Sequence, residues 1–317
     1  GFRNTFGRRM ASVDGRALPL FVKMMLGLKD NRPPKVRMLS TSDLQAPGAG
    51  VRVTWLGHAS TVIQTPQHTI LTDPVFSKRA SPVPFAGPAR LVEPPIRIED
   101  LPAPDLVLLS HDHYDHLDKD AVRRIADLHD PLFVCPLKVG AILQGWGIRR
   151  TVDFDWWQFA HLEGLTLHCT PARHFSGRSL FNRDSTLWSG WYLDFDDAPT
   201  VYFAGDSGYT TQFREVRERL GAPDVALIPV GAYRPRWMME PVHVDPPEAF
   251  QVFEEVEAGL MIPIHWGTFD LAEEPVQEPI DVLETLAADA GRSDHLRVLE
   301  VGGSLELARG SAGSSVP

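Results

Sequence analysis

The stretch SHDHYDHLD, residues 110–118, holds a dense group of side chains that can do chemistry. Three of the 12 histidines and two aspartates fall between His111 and His116. Imidazole and carboxylate groups at this density, when buried, must pair with one another or with metal ions. The spacing therefore indicates metal-assisted chemistry rather than a solvated polar turn.

Further histidines and aspartates stand at the ends of apolar, strand-like runs. His174 follows LTLHCTPA, Asp206 follows TVYFAG, and His265 follows LMIPI. Because a rigid sheet positions the loops at its edge, we expect these residues to converge on the first cluster. The predicted metal ligands are His111, His113, Asp115, His116, His174, Asp206 and His265.

A ligand set of nitrogen and oxygen atoms without cysteine is typical of divalent ions, zinc first, with iron or manganese also consistent. His111 and His113 alternate along an extended segment and so face one ion. Asp115 and His116 can then turn to a second ion, and Asp206 can bridge both.

Composition limits the classes of protein. The chain has 317 residues, 43% of them hydrophobic, and a net charge of −10 without a basic block, which argues against a nucleic-acid partner. Cys135 and Cys169 lie in apolar runs and are expected to be buried thiols, so no disulfide framework is predicted. No apolar stretch is long enough to span a bilayer. Both a cytoplasmic location and a location at a membrane surface stay open.

The elements that must position the site begin after an N-terminal arm. Residues 1–50 are interpreted as an arm with a short amphipathic helix near 15–28 and a Pro/Gly-rich linker. The helix would pack on the main domain or lie on a membrane surface. Residues 51–310 are predicted to form one catalytic domain, and residues 311–317 a flexible tail.

Strands and helices alternate irregularly in that domain. Three β-rich runs from residue 51 predict an antiparallel meander, and APDLVLLS predicts a buried strand that ends at the histidine cluster. One later helix has clear boundaries, with Asp245 as N-cap, Pro246 and Glu248 in its first turn, and Gly259 as C-cap. No Gly-rich nucleotide loop occurs. The pattern favours an α/β fold of two mixed sheets packed face to face with outer helices.

HDHYDH resembles the H-x-H-x-D-H motif of the metallo-β-lactamase superfamily, and the later ligands follow in that family's order. The resemblance implies the αββα sandwich. TWLGHAST, RASPVPFAGPARLVEPP, LWSGWYL, FAGDSGYT, IPVGAYRPRWMM, HVDPPEAF and HWGTFDLAEEP, in collinear order over roughly residues 51–280, are similar to the branch of phospholipases D that hydrolyse N-acyl phosphatidylethanolamine. The similarity is weaker in the N-terminal arm.

The resemblance implies two zinc ions per chain. His111, His113 and His174 would hold one ion, Asp115, His116 and His265 the other, with Asp206 as the bridge. It also implies an enzyme, a zinc-dependent phosphodiesterase of phospholipase D type. A hydroxide between the metals would attack the phosphodiester of an N-acyl phosphatidylethanolamine or a related lipid. Catalytic roles fall to Asp115, which orients the water, and to His243, beside the substrate phosphate.

Alternatives and partners stay open. A di-metal lactonase, or another hydrolase of the same fold acting on a carbonyl, is the alternative enzyme, and a metal-dependent scaffold protein the alternative outside catalysis. Expected partners are a phospholipid or another phosphodiester, a membrane surface touched peripherally, and a second copy in a homodimer. His58 and Tyr114 are candidates to support the ligands. Candidates for the wall of a lipid groove are Trp156, Trp157, Trp237, Met238 and Met239.

Overall fold

Two mixed β-sheets pack face to face, with helices on both outer surfaces, in the computed structural model, which describes residues 1–4, 33–179 and 181–309. The predicted αββα sandwich is confirmed. The helix expected near residues 15–28 and the tail 311–317 lie outside the described residues.

The elements follow one another in an irregular order. The strands are β1 (Val51–Gly57), β2 (Ser60–Gln64), β3 (Thr69–Thr72), β4 (Leu106–Leu108), β5 (Leu132–Pro136), β6 (Thr151–Phe154), β7 (Phe159–Leu162), β8 (Leu165–Thr170), β9 (Gly190–Phe195), β10 (Val201–Phe203), β11 (Val225–Pro229), β12 (Leu260–Ile264) and β13 (Ser304–Leu307). The helices are α1 (Lys119–His129), α2 (Val139–Gly145), α3 (Gln212–Leu220), α4 (Arg236–Met239), α5 (Pro246–Glu255) and α6 (Glu278–Asp289).

The first sheet has the strand order β13-β1-β2-β3-β4-β5-β6. Strands β13, β1, β2 and β3 pair antiparallel, as the predicted meander requires, and β3 to β6 pair parallel. Parallel neighbours need a crossover connection, which α1 supplies between β4 and β5, and α2 between β5 and β6. The carboxyl end of β4 is thereby fixed at one edge of the sandwich.

The second sheet has the order β12-β11-β10-β9-β8-β7. Here β7 to β10 pair antiparallel and β10 to β12 pair parallel. Helix α3 connects β10 to β11, and α5 precedes β12. Three strands of this sheet, β8, β10 and β12, run directly into loops that carry predicted ligands.

Two hydrophobic clusters make this frame rigid. The larger lies between the sheets and includes the fully buried Trp55, Trp191 and Phe203. The smaller joins the first sheet to α1 and α2 and includes Val122 and Phe133. A buried side chain of this size contributes about 1.5–3 kcal/mol of transfer free energy, so the sheets form a stable platform for their edge loops.

The boundaries of α5 confirm most of the predicted capping. Asp245 is the N-cap and forms a capping box with Glu248, and Pro246 opens the helix. The predicted C-cap at Gly259 is wrong, because the helix ends at Glu255 with Val256 as its cap. Gly259 instead allows a close approach, since a Cβ there would lie 2.8 Å from the carbonyl oxygen of Asp224.

Some short elements lack a clear hydrophobic pattern in the sequence. The edge strands β6 and β7 and the one-turn helix α4 were not predicted. The run LRVLEVGGSLEL forms a strand only at its end, over β13, and before it only Leu296 and Val301 make isolated bridges. Within the described residues, no helix is both long enough and apolar enough to cross a bilayer.

Candidate metal centre

All seven predicted ligands lie at one edge of the sandwich. The loop after β4 carries His111, His113, Asp115 and His116, and the loops after β8, β10 and β12 supply the rest. Their donor atoms form groups in which every atom lies within 4.8 Å of the others. The structure therefore brings these seven residues together at one edge, the arrangement expected from their positions at strand ends.

Three imidazoles form the first group, which we call the nitrogen group: His111, His113 and His174. His111 Nε2 lies 2.9 Å from His113 Nδ1, and His174 Nε2 lies 3.2 Å from the same atom. Hydrogen bonds alone do not account for this convergence, because a ring nitrogen carries at most one proton. A cation accepting all three lone pairs does account for it.

The second group, the mixed group, consists of Asp115, His116 and His265. Asp115 Oδ2 lies 3.6 Å from His116 Nε2 and 3.5 Å from His265 Nε2. Asp206 lies between the two groups, with its Oδ2 at 3.1 Å from both of these nitrogens and at 3.9 Å from His174 Nε2. Its carboxylate therefore touches both groups.

The imidazoles of the nitrogen group are uncharged. Burial lowers the pKa of His113 to about 3 and that of His174 to about 4, and it lowers the pKa of His111 well below its ordinary value. A neutral imidazole is the form that binds a metal ion, so this group needs to lose no proton on binding.

The mixed group carries charge. Burial alone would lower the pKa of its histidines. Asp206 and Asp115 nevertheless raise the pKa of His265 to about 9 and hold that of His116 well above its usual range. Despite burial, the same histidines hold the pKa values of both carboxyls well below their usual range. The carboxylates of Asp206 and Asp115 thus attract positive charge to this point.

Several buried polar atoms in the site have no hydrogen-bond partner. They include Nε2 of His116, Nε2 of His265 and Oδ1 of Asp206. Buried polar atoms are nearly always satisfied in folded proteins, and orphans mark a missing ligand, ion or water. Nitrogen and carboxylate donors facing one another fit divalent ions such as zinc.

Contacts from outside hold the rings of the nitrogen group. His111 Nδ1 hydrogen bonds with Ser110 Oγ at 2.9 Å, and His174 Nδ1 with the carbonyl oxygen of Val242, also at 2.9 Å. Such contacts fix the tautomer, because the outer nitrogen carries the proton and the inner one stays free for a metal.

Asp73 is a functional residue that the sequence reasoning missed. It is fully buried at the end of β3, and its Oδ2 lies 2.7 Å from His116 Nδ1. Its Oδ1 accepts a hydrogen bond from the backbone N–H of Ser110. Burial raises its pKa, while these hydrogen bonds oppose the rise. The available signal was an aspartate at the end of an apolar strand, the same pattern that marked the ligands.

Arg178 ties the ligand loop to the neighbouring segment. Its Nη1 donates to the carbonyl oxygens of Asp112 and Leu117, both at 2.7 Å, and its guanidinium lies 4.0 Å from the ring centre of Tyr114. The hydroxyl of Tyr114 donates to the carbonyl of Arg178. Tyr114, a candidate support for the ligands, thus contacts the loop backbone rather than a ligand side chain.

His243 lies beside both groups. Its Nδ1 has no hydrogen-bond partner and is 3.8 Å from Asp206 Oδ2, and the side chain is 10% exposed. Helix α4 holds this residue, because the N–H of His243 donates to Met239 and Arg236 Nη1 donates to the carbonyl of His243. Arg236 also forms an ion pair with Glu248 at the start of α5. The capped helix thereby fixes an imidazole with an unpaired Nδ1 at the site.

The residues predicted to line a lipid groove fall into two sets, one packed against the core and one near His243. Trp156 and Trp157 are partly buried against the core between the sheets, so they pack rather than line a groove. Trp237 is 44% exposed in α4, and Met238 and Met239 are half-buried beside it. These last three lie on the segment that leads into His243.

The sequence of the chain matches a known family and known relatives. Residues 68–266 match the family described as the beta-lactamase superfamily domain. The N-acyl-phosphatidylethanolamine-hydrolyzing phospholipase D 1 of Caenorhabditis elegans is 39% identical over 250 residues, covering 75% of this chain and 70% of that protein. A UPF0173 metal-dependent hydrolase of Koribacter versatilis is 30% identical over 226 residues, covering 69% and 86%.

A solved structure agrees on the fold. The isothiocyanate hydrolase from Delia radicum gut bacteria superposes with a TM-score of 0.67 at 20% sequence identity, covering 81% of this chain and 99% of that one. At that identity, the similarity concerns the arrangement of sheets and helices.

Proposed function

Because this chain belongs to the beta-lactamase superfamily domain family, and so to the metal-dependent hydrolases of the metallo-β-lactamase fold, we propose that it is a phosphodiesterase of phospholipase D type. Its substrate would be an N-acyl phosphatidylethanolamine or a related phosphodiester. Water adds to phosphorus, the bond from phosphorus to the headgroup oxygen breaks, and the products are a phosphatidic acid and an N-acylethanolamine.

The ligands divide between two ions in this proposal. The nitrogen group would hold one divalent ion, the mixed group the other, and Asp206 would contact both. We propose zinc, because the donors are imidazole nitrogens and carboxylate oxygens. When bound, such a pair supplies Lewis acidity and lowers the pKa of water to about 7.

His243 carries the proposal of a phosphodiester substrate. Burial lowers its pKa well below the ordinary value, so the imidazole is neutral. With its proton on Nδ1, the neutral imidazole can donate a hydrogen bond to a phosphoryl oxygen and stabilise the negative charge that develops there, while the departing headgroup oxygen takes the proton that the attacking water releases. Removing one preorganised donor of this kind typically costs about 10²–10³-fold in kcat.

Asp115 would orient the attacking water. Its side chain is 16% exposed, more than those of its neighbours His116 and His265, and so faces the opening of the site. His116 holds its pKa well below the usual range despite burial, which keeps it ionised and able to accept a hydrogen bond. An ionised acceptor at the opening can align a water molecule for attack.

Exposed aromatic side chains near the site support a lipid substrate at a membrane surface. Phe181 is 97% exposed and lies in the loop that also carries Arg178. Trp237 is 44% exposed in α4, the helix that holds His243. Arg178, in the loop of Phe181, donates to the backbone of the loop that carries the first predicted ligands. Such rings favour the interface between lipid and water.

The experiment that tests this function measures metal content and hydrolysis of N-acyl phosphatidylethanolamine in vesicles, with products identified by mass. We expect release of N-acylethanolamine by the wild type, and a loss of about 10²-fold or more in kcat for His243→Ala at unchanged metal content. His243→Asn places an amide nitrogen near the position of Nδ1 and should recover part of the rate. His161→Ala, at an exposed position on β7, is the matched control.

Two results would contradict the proposal. Metal-loaded protein that leaves the phospholipid intact but opens lactones would assign a carbonyl substrate instead. Equal rates for His243→Ala and His161→Ala would remove His243 from the mechanism.

A further inference from the structure

His58 lies under the mixed group and has no part in the mechanism above. It occupies the turn between β1 and β2 and is 1% exposed. Resting on the proposed metal-dependent function, we infer that His58 is a positioning residue: its imidazole holds the Asp115 carboxylate and thereby sets the affinity of the ion at the mixed group, without affecting the nitrogen group.

A ring nitrogen of His58 lies within 4.8 Å of the donor atoms of the mixed group, and we assign it as a hydrogen-bond donor to Asp115 rather than as a fourth ligand. His58 Nε2 lies 3.0 Å from Asp115 Oδ2, at hydrogen-bond distance. The Nε2 atoms of His116 and His265, by contrast, are buried beside Asp206 Oδ2 at 3.1 Å and make no hydrogen bond. With a proton on Nε2, His58 donates a hydrogen bond to the Asp115 carboxylate. The Nε2 atoms of His116 and His265 are then left to bind a cation.

The backbone around His58 is fixed on three sides. Its N–H donates to Thr268 Oγ1 at 2.6 Å, and its carbonyl oxygen accepts from Trp55 Nε1 at 2.8 Å. The same carbonyl accepts the backbone N–H of His265 at 2.9 Å, and the two imidazole centres are 3.9 Å apart. One residue therefore holds the side chain of Asp115 and the backbone of His265, two of the three members of the mixed group.

The nitrogen group depends on different residues. Ser110 Oγ holds His111, and the carbonyl oxygen of Val242 holds His174. The hydrogen bond described for the His58 side chain goes to Asp115, and none of its described hydrogen bonds reaches His111 or His174. Loss of the His58 imidazole should therefore weaken one ion and spare the other.

The backbone angle at His58 decides which substitutions are informative. Its φ is 54°, in the left-handed region that asparagine and glycine tolerate best. His58→Asn fits this backbone, but its amide is too short to reach Asp115. His58→Gln is one methylene longer, and its amide nitrogen can occupy the position of Nε2. The pair differs in reach and keeps the chemistry of the amide.

The test is a competition titration of the metal-free protein with Zn²⁺ and a chromophoric chelator. For the wild type we expect two ions. For His58→Asn we expect one affinity to be unchanged and the other to fall about 10–100-fold, the usual cost of losing an outer-shell partner. His58→Gln should restore the weakened affinity to within a few fold. His161→Asn, the same change at an exposed position on β7, should change neither.

Ligand variants assign the weakened ion. With His113→Ala, which disables the nitrogen group, adding His58→Asn should lower the remaining affinity by the same 10–100-fold. With His265→Ala, which disables the mixed group, adding His58→Asn should have no further effect. This readout needs no catalytic assay.

The outcomes separate the inference from the proposed function. A wild type that binds no Zn²⁺ would overturn both. Two unchanged affinities in His58→Asn, or an equal fall of both, would overturn the positioning role while leaving the metal-dependent hydrolase in place. If circular dichroism shows that His58→Asn is unfolded, His58→Gly, which suits the same backbone angle, decides by the same criteria.

Discussion

The two donor groups at the edge of the sandwich are built differently. The nitrogen group is neutral, and its outer contacts are a hydroxyl and a backbone carbonyl. The mixed group is charged, and its outer contacts are the carboxyl of Asp73 and the imidazole of His58. Asp206 belongs to both.

Because of this difference, protons should compete with an ion at the mixed group but not with an ion at the nitrogen group. An ion at the nitrogen group displaces no proton, because burial already keeps its imidazoles neutral. An ion at the mixed group competes with protons on His116 and His265, whose pKa values the carboxylates raise against burial. Occupancy of the two positions should therefore depend differently on pH and on outer contacts.

The largest effect is expected at the shared residue. Asp206→Asn removes the charge that both groups use, so both affinities should fall, and hydrolysis should drop by at least about 10²-fold, the upper end for an outer-shell loss. Metal analysis after dialysis and the lipid assay measure the two effects. Retention of two tightly bound ions would contradict the shared role. The exposed Asp194 on β9, changed to Asn, is the control.

A smaller effect, unequal at the two groups, is expected at Asp73. Asp73→Asn keeps the shape but weakens the hydrogen bond to His116, so the affinity of the ion at the mixed group should fall about 10–100-fold. The titration with Zn²⁺ measures this change. The nitrogen group should lose less affinity, because Asp73 reaches it only through Ser110, whose Oγ contacts both Asp73 and His111. A larger loss at the nitrogen group than at the mixed group would contradict this order.

The smallest effect is a dependence of stability on pH. The folded pKa of His265, about 9, lies above the ordinary value of 6.5. In the metal-free protein its protonation adds stability that is complete below pH 6.5 and is lost as the pH rises towards 9. An ion replaces that proton, so the gap in unfolding free energy between the Zn²⁺-loaded and EDTA-treated protein should widen by roughly 1.4 kcal/mol per pH unit.

Thermal denaturation at pH 6.5, 7.5 and 8.5, with and without Zn²⁺, measures that gap. In His265→Gln, which has no titrating ring, the slope should shrink. A gap that narrows as the pH rises would reverse the sign of the expected linkage.

Much of the fold followed from local patterns. The apolar run before His111 predicted a buried strand that ends at the histidine cluster, and the capping residues from Asp245 onwards predicted the start of a helix. Edge strands such as β6 and β7 were missed, because their half-exposed residues lack the apolar periodicity of a central strand. The end of α5 was misplaced, since Glu257 takes a left-handed φ of 52° that the sequence assigned to glycine.

In the site, the metal ligands were predictable and their supports were not. Ligands repeat one rule, a histidine or aspartate at the end of an apolar strand. Supports such as Asp73 and Val242 act through oxygen atoms whose positions are set by tertiary packing, and a backbone carbonyl cannot be read from the residue type. His58 stood between the two, a candidate whose partner only the fold could identify.

The donors come from both sheets, and this has a consequence for the folding of the chain. The loop after β4 belongs to the first sheet, while Asp206 and His265 follow strands of the second. A cation at this edge would act as a cross-link between segments far apart in sequence, and closing long loops removes conformational entropy from the unfolded chain. The same atoms that serve hydrolysis would thus fasten the two layers, and a chelator would loosen the sandwich at its active edge first.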